Sequence, residues 1–175
     1  MNMKDCRHKN TYITDANIWI DLYVGEILEK AFAMPSTFIA PDVIIDELKE
    51  PCGQYLLALG LIKEILPGEG IEIVSYLAKC YPAPSRVDLF SLALAKTKNG
   101  LLLTGDKHLR KAAEKEKIRV HGTLWLLDRL VEKQVITSLQ ASSALKLMLQ
   151  NSRRLPRSET MKRIKKWNQG GHISD

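Results

Sequence analysis

The sequence predicts an α/β domain with a mainly parallel sheet. Short β-prone runs alternate with helical stretches along the chain. One run, Leu101-Leu102-Leu103-Thr104, is continuous without alternation, as in a strand covered on both faces. The 175 residues, 45% apolar and 26% charged, are enough for one domain with a buried core, or one domain with a tail.

The elements follow in order. Thr11-Tyr12-Ile13-Thr14 is β-prone and ends at Asp15. From Ile18 to Lys30, the residues Ile20, Val24, Ile27, Leu28 and Ala31 form one helical stripe. Phe38-Ile39-Ala40 is a second strand. Pro41-Asp42 opens a helix with Asp42 as its N-cap, and Pro51 with Gly53 stops it after Glu50. Tyr55 to Leu66 reads as a helix closed by Pro67-Gly68, and Ile71-Glu72-Ile73-Val74 alternates like a strand.

In the second half, Pro84-Ser85 begins a helix that Asn99-Gly100 ends. After the Leu101–Thr104 strand, Asp106 starts a helix to Lys117, and Ile118-Arg119-Val120-His121 is a short strand. Gly122-Thr123 opens a helix to Gln134, and Thr137-Ser138 caps another to Leu149. Ser158 caps a last basic helix whose apolar side is Met161, Ile164 and Trp167.

No apolar run approaches the roughly 20 residues of a membrane-spanning helix, and Met1 to His8 contain no apolar core of a secretory leader. Three widely spaced cysteines, Cys6, Cys52 and Cys80, suit a reducing compartment. A cytoplasmic protein without a membrane partner is therefore expected. Lys and Arg number 26 against 20 Asp and Glu, a net +6. Residues 151–175 hold seven basic and two acidic groups, so the tail carries +5 and residues 1–150 only +1. A basic block favours an anionic partner such as nucleic acid, and equally describes a solvated helix face.

The acids are more informative. In parallel sheets, sites gather at the carboxyl ends of strands. Asp15 ends the first strand and Asp106 follows the most apolar one, so both enter one crevice if those strands are neighbours. Taken singly, each is better explained as a helix cap, since caps are common. Glu47 falls at helical spacing from Val43, Ile44 and Leu48, which predicts a core-facing carboxylate in need of a partner or a cation. Asp88 leads the stripe of Leu92 and Ala95 beside Ser91, near a helix N-terminus that favours negative charge. If the four converge, pairs about 4 Å apart repel by roughly 4 kcal/mol at an effective dielectric near 20. A hard divalent ion, Mg²⁺ or Mn²⁺, relieves that repulsion through oxygen ligands. Such a site suits phosphodiester hydrolysis.

These segments resemble the motifs of PIN-domain nucleases. Thr14-Asp15-Ala16-Asn17 resembles the opening motif, Asp42-Val43-Ile44-Ile45-Asp46-Glu47-Leu48 the second, Asp88-Leu89-Phe90-Ser91 the third, and Leu103-Thr104-Gly105-Asp106 the fourth. Val120-His121-Gly122-Thr123-Leu124 resembles the last strand and helix of a bacterial and archaeal branch that includes VapC-type toxins. The resemblance implies a Rossmann-like three-layer α/β/α fold over residues 11–135, with an N-terminal extension (1–10) and a C-terminal helical extension with a basic tail (136–175). It also implies Mg²⁺- or Mn²⁺-dependent cleavage of RNA, with Asp15, Glu47, Asp88 and Asp106 as catalytic metal-binding acids. Asn17 and Thr104 would be hydrogen-bonding groups behind them, and Lys107 and Arg110 candidate phosphate contacts. A homodimer and a small antitoxin partner are expected by the same analogy. The short stretch before Thr11 and the helices after Thr137 extend beyond the compact toxin pattern.

Two rivals remain. A haloacid-dehalogenase-like phosphatase shares Gly105-Asp106 after an apolar strand, but needs a second Asp where Asn17 stands and an acid soon after Asp106, where Lys107-His108-Leu109-Arg110 follow. A catalytically silent PIN-like module would hold RNA or protein without cutting. Pro67-Gly68-Glu69-Gly70 reads as a turn with no helix opening after it, rather than a nucleotide loop. His8, His108, His121 and His172 lack zinc spacing.

Overall fold

A computed structural model describes residues 10–169. Cys6, His8, His172 and most of the expected N-terminal extension lie outside the described residues. The chain folds as a five-stranded, all-parallel sheet between two helical layers, a Rossmann-like three-layer α/β/α arrangement. Strands β1 (Asn10–Thr14), β2 (Ser36–Pro41), β3 (Ile62–Glu64), β4 (Leu101–Leu103) and β5 (Val120–His121) stand in the order β3-β2-β1-β4-β5. The chain reverses direction across the sheet between β1 and β4, so a crevice opens beyond their carboxyl ends.

Side-chain alternation builds the two cores. Tyr12, Phe38, Leu101 and Leu103 face one layer with Trp19, Leu126, Leu130 and Leu145. Ile13, Ile39 and Leu102 face the other, against Val74, Leu92 and Leu109. The Leu101–Leu103 run is apolar throughout because both faces are covered. Trp19 stacks on Phe32 at 5.2 Å, and its indole N–H donates to Thr14 Oγ1 at 2.9 Å.

Several helices differ from their predicted forms. The first splits into α1 (Ala16–Val24) and α2 (Leu28–Ala31), with a break at Gly25 and Glu26, where φ is +57°. A Cβ on Gly25 would meet Met148 Cε at 2.6 Å, so the crossing helix α9 (Ser138–Gln150) needs glycine there. Helix α3 (Asp42–Glu47) is shorter than expected and capped by Pro41; Asp42 lies in its first turn. Helix α4 (Gly53–Leu59) ends at Gly60, whose φ of +114° favours glycine, and β3 then replaces the predicted continuation to Leu66. Ile71–Val74 is helical, within α5 (Gly68–Cys80). The alternation spans too few residues to distinguish the two periods, and burial of Gly70, Val74 and Leu77 follows the helical one. A helix therefore does open at Gly68.

The remaining helices start close to their predicted positions: α6 (Arg86–Thr97), α7 (Lys107–Lys115), α8 (Thr123–Glu132), α9 and α10 (Arg157–Asn168). Ser85 accepts from the Asp88 N–H at 3.0 Å, and Thr137 forms a capping box with Gln140. At α10, Pro156 takes the cap in place of Ser158. Ile164 and Trp167 are buried as expected, but Met161 is 52% exposed and Thr160 takes the inward position, its hydroxyl bonded to the Pro156 carbonyl. Asp128 on α8 holds Arg163 through two parallel bonds of 3.0 and 2.8 Å, which fastens α10 to the domain.

Candidate active site

The site forms where β1 and β4 end side by side. Their register pairs Thr14 with Leu103, so Asp15 and Thr104 emerge next to each other. Asp15 caps α1, with its Oδ1 accepting from the Ile18 N–H at 3.2 Å, yet it is completely buried. Its Oδ2 accepts from the Thr104 hydroxyl and from Asn17 Nδ2 at 3.4 Å. Thr104 is buried too, and its Oγ1 accepts the Asp106 N–H at 2.9 Å. One hydroxyl thus ties Asp15 to the backbone of Asp106. Ser91 on α6 donates to the Thr14 carbonyl at 3.2 Å and holds the third acidic segment against the end of β1.

Burial pushes the Asp15 carboxyl up to about 7, and repulsion from Asp88 adds to the shift. The hydrogen bonds from Thr104, Ile18 and Asn17 oppose it. Three donors do not offset the loss of water around this charge, so a cation nearby would favour its ionised form.

The other three predicted acids flank Asp15 on two sides. Asp88 is half-buried in the first turn of α6, accepts the Ser85 hydroxyl at 2.6 Å, and shares a cleft of about 460 Å³ with Glu47, Ala16 and Ile44. Glu47 is exposed. This corrects its expected core-facing position: Ile44 and Ile45 carry the buried face, and α3 ends at Glu47. Asp106 lies on the other side of Asp15, half-buried, capping α7 through the Leu109 N–H at 2.6 Å. It shares a cavity of about 300 Å³ with Asn17, Asp21 and Arg153. Among the described residues, no three His, Cys, Asp or Glu side chains stand close enough to hold a metal ion together. Asp15 contacts Thr104 and Asn17 directly, whereas Asp88 and Asp106 each bond near their own helix start. The all-oxygen donors fit a hard divalent ion better than zinc.

Of the candidate phosphate contacts, Lys107 is exposed, while Arg110 is half-buried and donates from Nη2 to the Thr104 carbonyl at 3.3 Å. One buried acid beside the site escapes the sequence reasoning. Asp21 is 3% exposed, accepts from Arg153 Nε and the Thr123 hydroxyl, each at 2.5 Å, and Arg153 Nη2 reaches Asn17 Oδ1 at 3.4 Å. Its signal was present: Asp21 falls three residues after Ile18, on the buried side of α1 with Leu22. The spacing argument applied to Glu47 describes Asp21 instead.

A family model described as a PIN domain matches residues 11–169, through the end of α10. No protein of curated function matches the chain. The family match covers most of the chain, which therefore belongs to the PIN-domain family and has its nuclease-like fold.

Proposed function

We propose that this chain is a Mg²⁺- or Mn²⁺-dependent endoribonuclease, acting as the toxin of a toxin–antitoxin pair. The carrying observation is Asp15: a fully buried carboxyl, raised to about 7, at the sheet's switch point. A carboxylate so placed costs stability unless a cation or proton accompanies it, and such expense is typical of working sites. Asp15 and Asp106 would hold the ion, with Asp88 and Glu47 completing or flanking the site. When bound, the ion offsets charge on the phosphoryl oxygens and activates water. Thr104 orients the Asp15 carboxylate and fixes the Asp106 backbone, and Asn17 steadies Asp15 from α1. Arg110 and Lys107 would meet the phosphate on the Asp106 side. A homodimer and a small antitoxin partner complete this reading.

One observation favours a second reading, a silent module that binds RNA without cutting: no three acids converge among the described residues. Incubating the protein with labelled RNA and Mn²⁺, with and without chelator, separates the two. Chelator-sensitive cleavage supports the nuclease; binding without cleavage at any Mn²⁺ concentration supports the silent module. Growth arrest on expression, relieved by a neighbouring small protein, tests the toxin role.

A further inference from the structure

The hydrogen bonds around Asp15 do not end within the four acid segments; they continue into the connection between α9 and α10. Arg153, which carries them there, stands 136 positions after Asn17. The end of α9 aims it. Ser152 takes a left-handed turn with φ at +57°. The Arg153 N–H donates to the Met148 carbonyl at 2.9 Å, and the Ser152 N–H to the Leu149 carbonyl at 3.1 Å. These two bonds close the helix as a Schellman motif does, here without the usual glycine. A serine in that conformation persists only where its surroundings hold it.

Three observations give Arg153 a task. First, its guanidinium is fixed. Nε donates to Asp21 Oδ1 at 2.5 Å, and the Thr123 hydroxyl holds Asp21 Oδ2, so the anchor is itself tied to the start of α8. Second, Arg153 Nη2 reaches Asn17 Oδ1 at 3.4 Å, and Asn17 Nδ2 reaches Asp15 Oδ2 at 3.4 Å. A guanidinium only donates. It therefore selects the one amide orientation that turns the Asn17 N–H groups toward Asp15. The flipped amide would set oxygen against carboxylate and N–H against guanidinium. Third, Asn17 needs such a guide, because it is half-buried beside a cavity of about 300 Å³ and has room to turn. Gly105 confines it at the end of β4, where a Cβ would lie 3.3 Å from the Asn17 Cβ, but leaves the amide itself to Arg153.

We propose that Arg153 is a positioning residue: anchored by Asp21, it sets the Asn17 amide and, through that amide, the orientation of the Asp15 carboxylate. This role rests on the metal site proposed above and extends that site to the α9–α10 connection. It is separate from the stability that the Asp21–Arg153 pair supplies, and Arg153→Lys divides the two. Lysine keeps a positive charge for Asp21 but lacks the planar fork that spans two acceptors.

The test reads Asn17 directly, by NMR of the isotope-labelled full chain without metal. The side-chain amide pair of Asn17 is assigned by its loss in Asn17→Ala. In Arg153→Lys its exchange with water should quicken about tenfold, as expected when a hydrogen bond to a charged group is lost; unchanged exchange overturns the role. If urea unfolding shows that this variant does not fold, Asp21→Asn takes its place: it frees the guanidinium from its anchor and should quicken the same exchange. Calorimetric titration with Mn²⁺ then reads the effect on Asp15. Asn17→Ala and Arg153→Lys should each weaken Mn²⁺ binding about tenfold, and the double variant about tenfold as well, because both break one path. A loss of about a hundredfold in the double variant shows that Arg153 acts independently of Asn17 and overturns the role. A parent that shows the amide response but neither binds Mn²⁺ nor cleaves RNA sinks the nuclease reading and leaves the positioning role standing. A parent that cleaves RNA, while Arg153→Lys leaves both the amide and the Mn²⁺ affinity unaltered, does the reverse.

Discussion

Asp15 costs the fold stability at the pH where the protein would work. Its carboxyl titrates near 7 in the folded chain and near 3.8 when free of the fold. Between those values the folded state holds more protons than the unfolded state, so stability falls as pH rises through that window. Below it both states are protonated and nothing is lost; above it the full penalty is present. At about 1.4 kcal/mol per unit the shift amounts to about 4 kcal/mol. Urea midpoints in chelator should therefore be lower at pH 7.5 than at pH 4.5 through this group, and Asp15→Asn should flatten the difference while raising stability at pH 7.5. An Asn variant less stable than the parent at pH 7.5 contradicts the account. Asp21 is also buried, but its charge is matched by Arg153. Removing Arg153 in Arg153→Met leaves the buried carboxylate without this countercharge, held by the Thr123 hydroxyl, and should cost about 3–5 kcal/mol, read as the denaturation midpoint.

At the level of elements, what was legible depended on length and punctuation. The Leu101–Leu103 strand and the helices opened by Ser85, Asp106 and Thr137 carried both an apolar pattern and a capping residue, and all were found close to where they were expected. From Asp42 to Val74 the helices expected at Asp42 and Tyr55 are present but end early, and Ile71–Val74 is helical rather than a strand. These elements are short, and close contacts with distant residues set their ends. Gly53 shows the constraint: a Cβ there would lie 2.2 Å from the Ile45 carbonyl oxygen, a backbone atom that cannot swing aside. Gly53→Ala should therefore push α3 and α4 apart and destabilise the chain by about 1–3 kcal/mol, as overpacking does. A melting temperature unchanged from the parent would show that this approach is not tight. Among the site residues, Asp15, Asp88 and Asp106 were legible as strand-end or helix-start acids. Glu47 was placed on the wrong face because α3 was read as longer than it is. The role of Arg153 was invisible, since its partner Asp21 is 132 positions away.

For the whole molecule, the net charge of +6 divides between a nearly neutral body and a basic C-terminal tail, and the described part of that tail, residues 151–169, is fastened to the domain. Trp167 is 1% exposed in the core with Leu145 and Met148, Arg163 is clamped by Asp128, and Arg153 reaches Asn17 behind Asp15. The family match likewise runs through α10. Truncating the ring in Trp167→Ala should cost about 3–5 kcal/mol in chemical denaturation. A loss of only a few tenths would mean that α10 contributes little. In the proposed nuclease its basic surface would add salt-dependent affinity for a polyanion without being the source of the chemistry, which is assigned to the acids around Asp15. The most direct test of that assignment is single-turnover cleavage of a labelled single-stranded RNA in Mn²⁺ by the parent and by Asp15→Asn, both shown to be folded. Cleavage by the parent, and a loss of about a hundredfold or more in the variant that retains RNA binding, is the predicted result; an Asn variant that cuts as fast as the parent would contradict it.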